Sequence, residues 1–388
     1  MKKIFFRVIS TYQVPILYIS YYMFHVFKKN NYNEQWVIGV EEIASCIYNL
    51  NKTLPSSVSV CLTKNRFYNL KYDYYLNINS KYFLFFINSF YGPYLLGKLA
   101  ASRNNFWYIW STGFLVNRYY EFKFLKSRNK KVVCMFVGDD IRSPRLTLEY
   151  YKKMNIDGFI EYVGEQDKYY LSENYNNKKK EIARIADKYA DFIFNHQTDQ
   201  LSYLKNTNQH SWPYMYDARK FNKNDLKFNT NNLKVLHAPS NMFVKGTPLV
   251  RAAIKKLQTE GYKFDYVELK NVDNTTVIKE LKSAHIVLNQ FYTFTMGVFA
   301  IEAMANHCAV LQSADASIEK GIPAGSEDAW KITQYWEVYD NLKYLLDNPE
   351  KIKYYADNGY AFAYENYTYE AAGEYITKVL KENGIIEL

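Results

Sequence analysis

A chain of 388 residues is too long for one ordinary hydrophobic core and suits two domains of roughly 150 to 200 residues each. Hydrophobic residues make up 48% and charged residues 23%, which excludes a disordered chain and a coiled coil; the unusual figures are 39 Tyr and 25 Phe. The formal charge of +10 would attract anionic lipid, nucleotide or nucleic acid alike, because net charge reports long-range attraction and not chemistry.

The chain opens with Lys2 and Lys3 and an apolar stretch to about Phe27. Arg7, Gln13 and the lack of a small-residue cleavage site argue against a signal peptide, and the stretch falls short of a membrane span. It interleaves Tyr12, Tyr18, Tyr21, Tyr22 and Phe24 with Ile, Leu and Val and ends in Lys28 and Lys29, the mixture favoured at a lipid headgroup boundary. Residues 1–30 thus admit two readings, a Tyr-rich helix packed on the N-terminal domain and a membrane-proximal aromatic helix. Cys46, Cys61, Cys134 and Cys308 are scattered and suit a reduced, cytosolic compartment, at the inner face of the membrane if the helix docks there.

Strand and helix signals then alternate, which implies a parallel sheet. Trp36–Gly39 reads as a strand, followed by a helix with Ile43, Ala44, Ile47 and Leu50 on one face and Glu41 and Glu42 near its N-terminus, where negative charge is welcome. Ser57–Leu62, Tyr82–Ile87, Phe106–Trp110 and Lys131–Val137 are short apolar runs read as strands. Lys178–Ala190 is a charged helix and Asp191–Phe194 the last strand of an N-terminal domain spanning residues 1–215. Residues 216–232, rich in Lys, Asn and Asp, have the polar composition of a linker.

A second βαβ system occupies residues 233–365. Leu233–Leu236 is a strand, His237–Gly246 a loop, and Leu249, Val250, Ala253, Ile254 and Leu257 form one helical stripe. Phe264–Leu269, His285–Leu288 and Ala309–Leu311 are further strands and Val298–Ala305 a helix. Ser326 reads as an N-cap ahead of Glu327 and Asp328, and the rest is mostly helical, with residues 366–388 a C-terminal helix that can pack back on the N-terminal domain. Ligands of two such sheets sit where the carboxyl ends of the strands meet.

Two constellations lie on such loops. Gly297 opens a helix and lets a ligand approach backbone amides at Val298 and Phe299, where the positive dipole end favours phosphate. Glu302 comes about a turn and a half later, placed to accept hydrogen bonds from a ribose diol, while Val298, Ile301 and Met304 turn to the core. In Ser240–Thr247, Lys245 offers a point charge to a diphosphate, Asn241 and Ser240 offer polar groups, and Gly246 turns the chain into a helix capped by Thr247. In the first domain, Gly138-Asp139-Asp140-Ile141-Arg142 follows the strand Lys131–Val137. His25, His196, His210, His237, His285 and His307 show no metal-ligand spacing, and most read as structural.

Gly297, Glu302-Ala303-Met304-Ala305 and Cys308–Leu311 resemble the donor-site helix of the family-4 glycosyltransferases, a retaining group of the GT-B architecture. The resemblance implies two Rossmann-like parallel-sheet domains around a cleft, with Lys245 and Glu302 in catalytic roles on the donor's diphosphate and ribose. It places Ser240, Asn241, Gly246, Thr247, Gly297, Val298 and Phe299 on the nucleoside-diphosphate sugar, and Gly39, Gly138, Asp140 and Arg142 on the acceptor side. The family's first acidic position is Phe294 here, and no arginine accompanies Lys245. No metal or other cofactor is expected, since this family stabilises the leaving diphosphate with protein charges.

The expected reaction transfers a sugar from that co-substrate to a saccharide or lipid-linked saccharide in cell-envelope polysaccharide synthesis. The alternatives are a nucleotide-sugar 2-epimerase of the same fold, a metal-dependent GT-A enzyme using Asp139 and Asp140, and a basic nucleic-acid-binding protein. The dispersal of the basic residues among acids argues against the last.

Overall fold

The computed structural model describes residues 2–26, 35–63, 70–206, 209–230 and 232–387, with the backbone alone for residues 2–7. Two parallel sheets organise the chain. The first holds β1 (Trp36–Val40), β2 (Ser57–Cys61), β3 (Tyr74–Tyr75), β4 (Asn105–Ile109), β5 (Lys131–Met135), β6 (Phe192–Phe194) and β7 (Gln209–His210) in the order β3-β2-β1-β4-β5-β6-β7. The second holds β8 (Lys234–His237), β9 (Asp265–Glu268), β10 (Ile286–Leu288), β11 (Ala309–Gln312) and β12 (Lys331–Ile332) in the order β12-β11-β10-β8-β9. This is the two-domain α/β architecture called GT-B.

The strands are near-continuous apolar runs because helices cover both faces: β1 is buried at every position, as are β6, β10 and β11. Strand order reverses between β1 and β4 in the first sheet and between β8 and β10 in the second, and the loops leaving these neighbouring strands open the crevice where ligands bind.

Tyr82–Ile87 departs from its strand reading. It lies in a twenty-residue helix, Lys81–Ala100, that starts where Ser80 accepts a hydrogen bond from the Phe83 amide. The aromatic run favours a strand by intrinsic propensity, but a partner overrides it: the helix Lys2–Val26 lies along this one. Gln13 donates to the Ser89 carbonyl at 3.0 Å, Tyr12 stacks on Phe90, and a Cβ on Gly97 would come within 2.7 Å of the Leu17 carbonyl. Ile9, Gln13, Leu17 and Tyr21 are the buried stripe of the N-terminal helix, at four-residue spacing. Lys28 and Lys29 lie outside the described residues.

Three smaller differences are local. The helix Cys46–Thr53 follows Ser45, and the Glu42 carboxylate accepts from the Ile47 and Tyr48 amides at 3.1 Å each. Gly246, with φ of 72°, caps the helix Thr247–Thr259 in place of Thr247, whose hydroxyl instead meets His237 Nε2 at 2.8 Å. Gly325, with φ of 86°, precedes the short helix Ser326–Ala329, so Ser326 is its first residue and not its cap.

Residues 216–230 lie against the second domain. Asn222 donates its amide to the Ala305 carbonyl, and Lys227 Nζ donates to the Ala284 and Asn306 carbonyls. After the helix Pro349–Tyr367 the chain returns to the first domain: in the helix Tyr369–Glu382, the Tyr369 hydroxyl donates to Asn49 and the Tyr375 hydroxyl to the Ser211 carbonyl, each at 2.9 Å.

Candidate functional site

A cleft of about 540 Å³ lies between the domains, walled by loops at the carboxyl ends of β1, β4, β5 and β6 on one side and of β8, β9 and β10 on the other. Both constellations from the second half reach it, because β8 and β10 are hydrogen-bonded neighbours whose outgoing loops must adjoin.

Lys245 and Gln290 line the cleft, and the Lys245 ammonium donates to the Gln290 side-chain carbonyl. The Gln290 amide in turn donates to the Thr295 carbonyl, which ties the lysine to the turn before Gly297. A Cβ on Gly297 would lie 3.7 Å from Lys245 Nζ, and Gly297 itself has φ of 74°, a conformation costly for any other residue. Burial pushes the Lys245 ammonium down to about 8, against the pull of the Asp199 carboxylate. A cation so placed gains from an anionic ligand that restores its counter-charge.

The Gly297 amide is engaged, donating to the Tyr214 hydroxyl at 2.9 Å, so the amides at the start of the helix Val298–Ala305 that lack a preceding turn are those of Val298 and Phe299. Both residues line the cleft. Glu302, only 6% exposed, also lines it and accepts from Asn274 Nδ2 at 2.8 Å. Burial raises its carboxyl to about 7, offset in part by the Asn274 hydrogen bond. Ile301 and Met304 are buried on the opposite side, and Val298 is half-buried against the core.

Ser240 lines the cleft, whereas Asn241 shapes its loop: its side-chain carbonyl accepts from the Phe243 and Val244 amides at 3.0 and 3.2 Å. Thr247 is sealed beneath the loop. His237 donates through Nδ1 to the Leu288 carbonyl at 2.7 Å and accepts at Nε2 from Thr247, and burial holds its pKa down to about 4. Thr247 and Gly246 therefore position the Lys245 loop and do not line the cleft.

On the first-domain side, Gly138 and Arg142 line the cleft. Asp140 does not: its carboxylate turns back to accept from the Gly138 amide at 2.9 Å, and burial raises it to about 7. Gly39 is also removed from the cleft, being the fourth residue of buried β1, where a Cβ would come within 2.8 Å of the Val60 carbonyl. Its role is close strand packing; Ile43, Ala44 and Cys46, further along, reach the cleft instead.

Arg142 binds Asp139 at 2.5 Å and Asp199 at 2.9 Å, and its Nε donates to the Asp199 carbonyl at 2.6 Å. Burial works against its charge, but the two carboxylates outweigh it and hold its pKa above the ordinary value. Asp199 also accepts the Phe294 amide across the cleft at 2.9 Å, and Glu319 of the second domain accepts the amides of Gln197, Thr198 and Asp199 at 2.8–3.0 Å. These bonds clasp the domains. The Phe294 side chain packs edge-on to Tyr150, so the carboxylate attached to this loop belongs to Asp199 and comes from the other domain.

Asp139 is held by Arg142 and Tyr170, and Asp140 by backbone amides, so the pair presents no shared cation site. Among the described residues the one cluster with metal-ligand spacing is Asp225, His307 and Asp357, away from the cleft. Lys353 already bridges both of its carboxylates, and His307 Nδ1 accepts the Asn224 amide.

Asp199, Tyr214, Asn274 and Gln290 escaped the sequence reading. Gln290 alone carried a usable signal, standing two residues past the carboxyl end of β10. The others are brought in by tertiary crossings.

No protein-family model and no curated protein sequence matches the chain. Solved structures do match in fold. Sucrose-phosphate synthase of Thermosynechococcus elongatus superposes with a TM-score of 0.59 at 12% identity, covering 90% of this chain and 99% of its own. Anabaena HepE in complex with UDP-glucose gives 0.55 at 9% identity, covering 89% and 99%. A glycosyltransferase from Rickettsia africae gives 0.55 at 9% identity, covering 92% and 100%. The chain thus shares the two-domain fold of these proteins over nearly its whole length.

Proposed function

We propose that this protein is a glycosyltransferase that moves a sugar from a nucleoside-diphosphate sugar to a saccharide or lipid-linked saccharide, in cell-envelope polysaccharide synthesis. One observation carries the reading: Lys245, the helix start at Val298 and Phe299, and Glu302 converge on a single interdomain cleft. The cation and the two amides meet the diphosphate, and Glu302 accepts from the ribose diol. As the glycosidic bond breaks, negative charge builds on the leaving diphosphate, and a preorganised cation and helix dipole in a secluded cleft stabilise it. Retention of configuration and independence from metal ions belong to the same proposal, through the family-4 resemblance. The HepE complex supports a uridine nucleotide as the first donor to try.

The 2-epimerase alternative needs cleft carboxylates available for acid-base work; Asp139 and Asp199 are both held by Arg142, and the transferase reading gives the remaining one, Glu302, to the ribose. The paired N-terminal helices support an acceptor at a membrane. Neither Lys2–Val26 nor Lys81–Ala100 contains an acidic residue, and Tyr22, Met23, Tyr82, Phe83, Phe86 and Phe90 are exposed along them. Among the described residues no helix is long and apolar enough to cross a bilayer, so contact would be peripheral. A hollow of about 1590 Å³ lies between these helices and the loop starting at Ser111, and under this proposal it receives the lipid-linked part of the acceptor.

Calorimetry with UDP-glucose tests the donor site. Glu302→Gln and Lys245→Ala should each weaken binding with the fold intact; unchanged affinity in both would remove the proposal.

A further inference from the structure

We infer that His196, Gln200 and Trp212 form a hydroxyl-binding subsite for a pyranose ring on the first-domain wall of the cleft. The inference deepens the transferase reading and rests on it. All three side chains line the cleft, and they are only 5%, 1% and 7% exposed.

Among the described residues, His196 Nδ1 and Nε2, Gln200 Nε2 and Trp212 Nε1 have no hydrogen-bond partner. A buried polar atom left unpaired costs about 1–3 kcal/mol, and folded proteins keep few of them. The three side chains share one wall of the cleft, His196 and Trp212 also bordering a smaller hollow of about 120 Å³ beside Tyr214, and their unpaired atoms make sense as groups reserved for a ligand.

Their chemistry selects the ligand. Burial keeps the His196 imidazole neutral, so it offers one donor and one acceptor; the Gln200 amide and the Trp212 indole add donors. Such a mixed set suits sugar hydroxyls, each of which donates and accepts. An anion is disfavoured, because the carboxylates of Asp199 and Glu319 are the charges acting on His196, with Arg142 opposing them.

The three groups are also held in place. His196 packs on Trp212 with ring centroids 5.0 Å apart, Trp212 packs on Tyr214 at 4.6 Å, and the Gln200 carbonyl accepts the His196 amide at 2.9 Å, leaving its NH2 to offer. Tyr214 in turn holds the Gly297 amide, so the subsite adjoins the start of the donor helix. The ring could be the donor's own sugar or the terminal sugar of the acceptor.

His196→Phe and Trp212→Phe remove the polar atoms and keep the rings. Full-length protein and both variants would be titrated with UDP and with UDP-glucose, then bound, saturated with UDP, to a printed array of bacterial glycans. UDP affinity should not change, while either the gain of UDP-glucose over UDP or glycan retention should fall about tenfold, as expected for a lost hydrogen bond. Loss of the UDP-glucose gain assigns the donor's sugar, and loss of array retention assigns the acceptor. Two folded variants with both readouts unchanged, and a melting temperature equal to or above wild type, would overturn the subsite. Wild-type protein that fails to bind UDP would instead defeat the donor reading, with the array still testing the subsite; one variant suffices should the other not fold.

Discussion

The depressed Lys245 ammonium makes nucleotide-sugar binding pH-dependent in a direction fixed by the geometry. In the unliganded protein its pKa falls from 10.5 to about 8 because burial removes hydration that Asp199 only partly replaces. At about 1.4 kcal/mol per unit, holding this charge costs on the order of 3 kcal/mol below pH 8. A base with a lowered folded-state pKa binds fewer protons than in the unfolded chain between about 8 and 10.5, so ligand-free stability rises across that window. A diphosphate acts oppositely, favouring the ammonium and drawing a proton onto it. UDP-glucose affinity should therefore fall as pH rises above 8, and Lys245→Met should abolish that decline and lower affinity at pH 7.5 by about a hundredfold, the equivalent of roughly 3 kcal/mol. On the acid side Glu302, raised to about 7, must lose its proton to accept both ribose hydroxyls, so affinity should climb through that pH and Glu302→Gln should flatten the climb. Calorimetry from pH 6 to 9 in buffers of different ionisation enthalpy reads affinity and proton uptake together. A flat affinity across this range, with Lys245→Met binding as wild type does, refutes the reasoning.

Three further outcomes follow from the same structure. Asp199→Ala strips Arg142 of a buried partner and the Phe294 amide of its acceptor, and should destabilise the protein by about 3 kcal/mol or more, read as a lower urea midpoint. Transfer activity should survive EDTA, and a strict requirement for Mn²⁺ would count against charge stabilisation by Lys245. Phe83→Ser with Phe86→Ser, both on exposed positions, should leave the melting temperature within a degree or so and reduce flotation with phosphatidylglycerol vesicles but not with neutral ones; equal flotation would end the membrane proposal.

What the sequence determined by itself was whatever depends on neighbours along the chain. Alternating apolar runs and amphipathic helices specified two parallel-sheet domains, and Lys245, Gly297 and Glu302 were legible because a strand's carboxyl end followed by a glycine and a helix is a local pattern. Local pattern also misled. Tyr82–Ile87 has strand composition, yet it forms the first turns of the helix Lys81–Ala100, whose later residues Ser89, Phe90 and Gly97 pack against the N-terminal helix Lys2–Val26. Gly39 and Asp140 looked like cleft residues but are turned inward by strand burial and by a backbone turn.

Tertiary structure alone decided which groups complete the cleft. Asp199 stands 95 residues from the Phe294 amide it holds, and Tyr214 83 residues from that of Gly297. No propensity or spacing encodes such pairs, because they form only when two separately folded sheets bring their strand ends together. The carboxylate at the Phe294 loop therefore comes from the opposite domain, through a side chain whose neighbours along the chain carry no sign of that role.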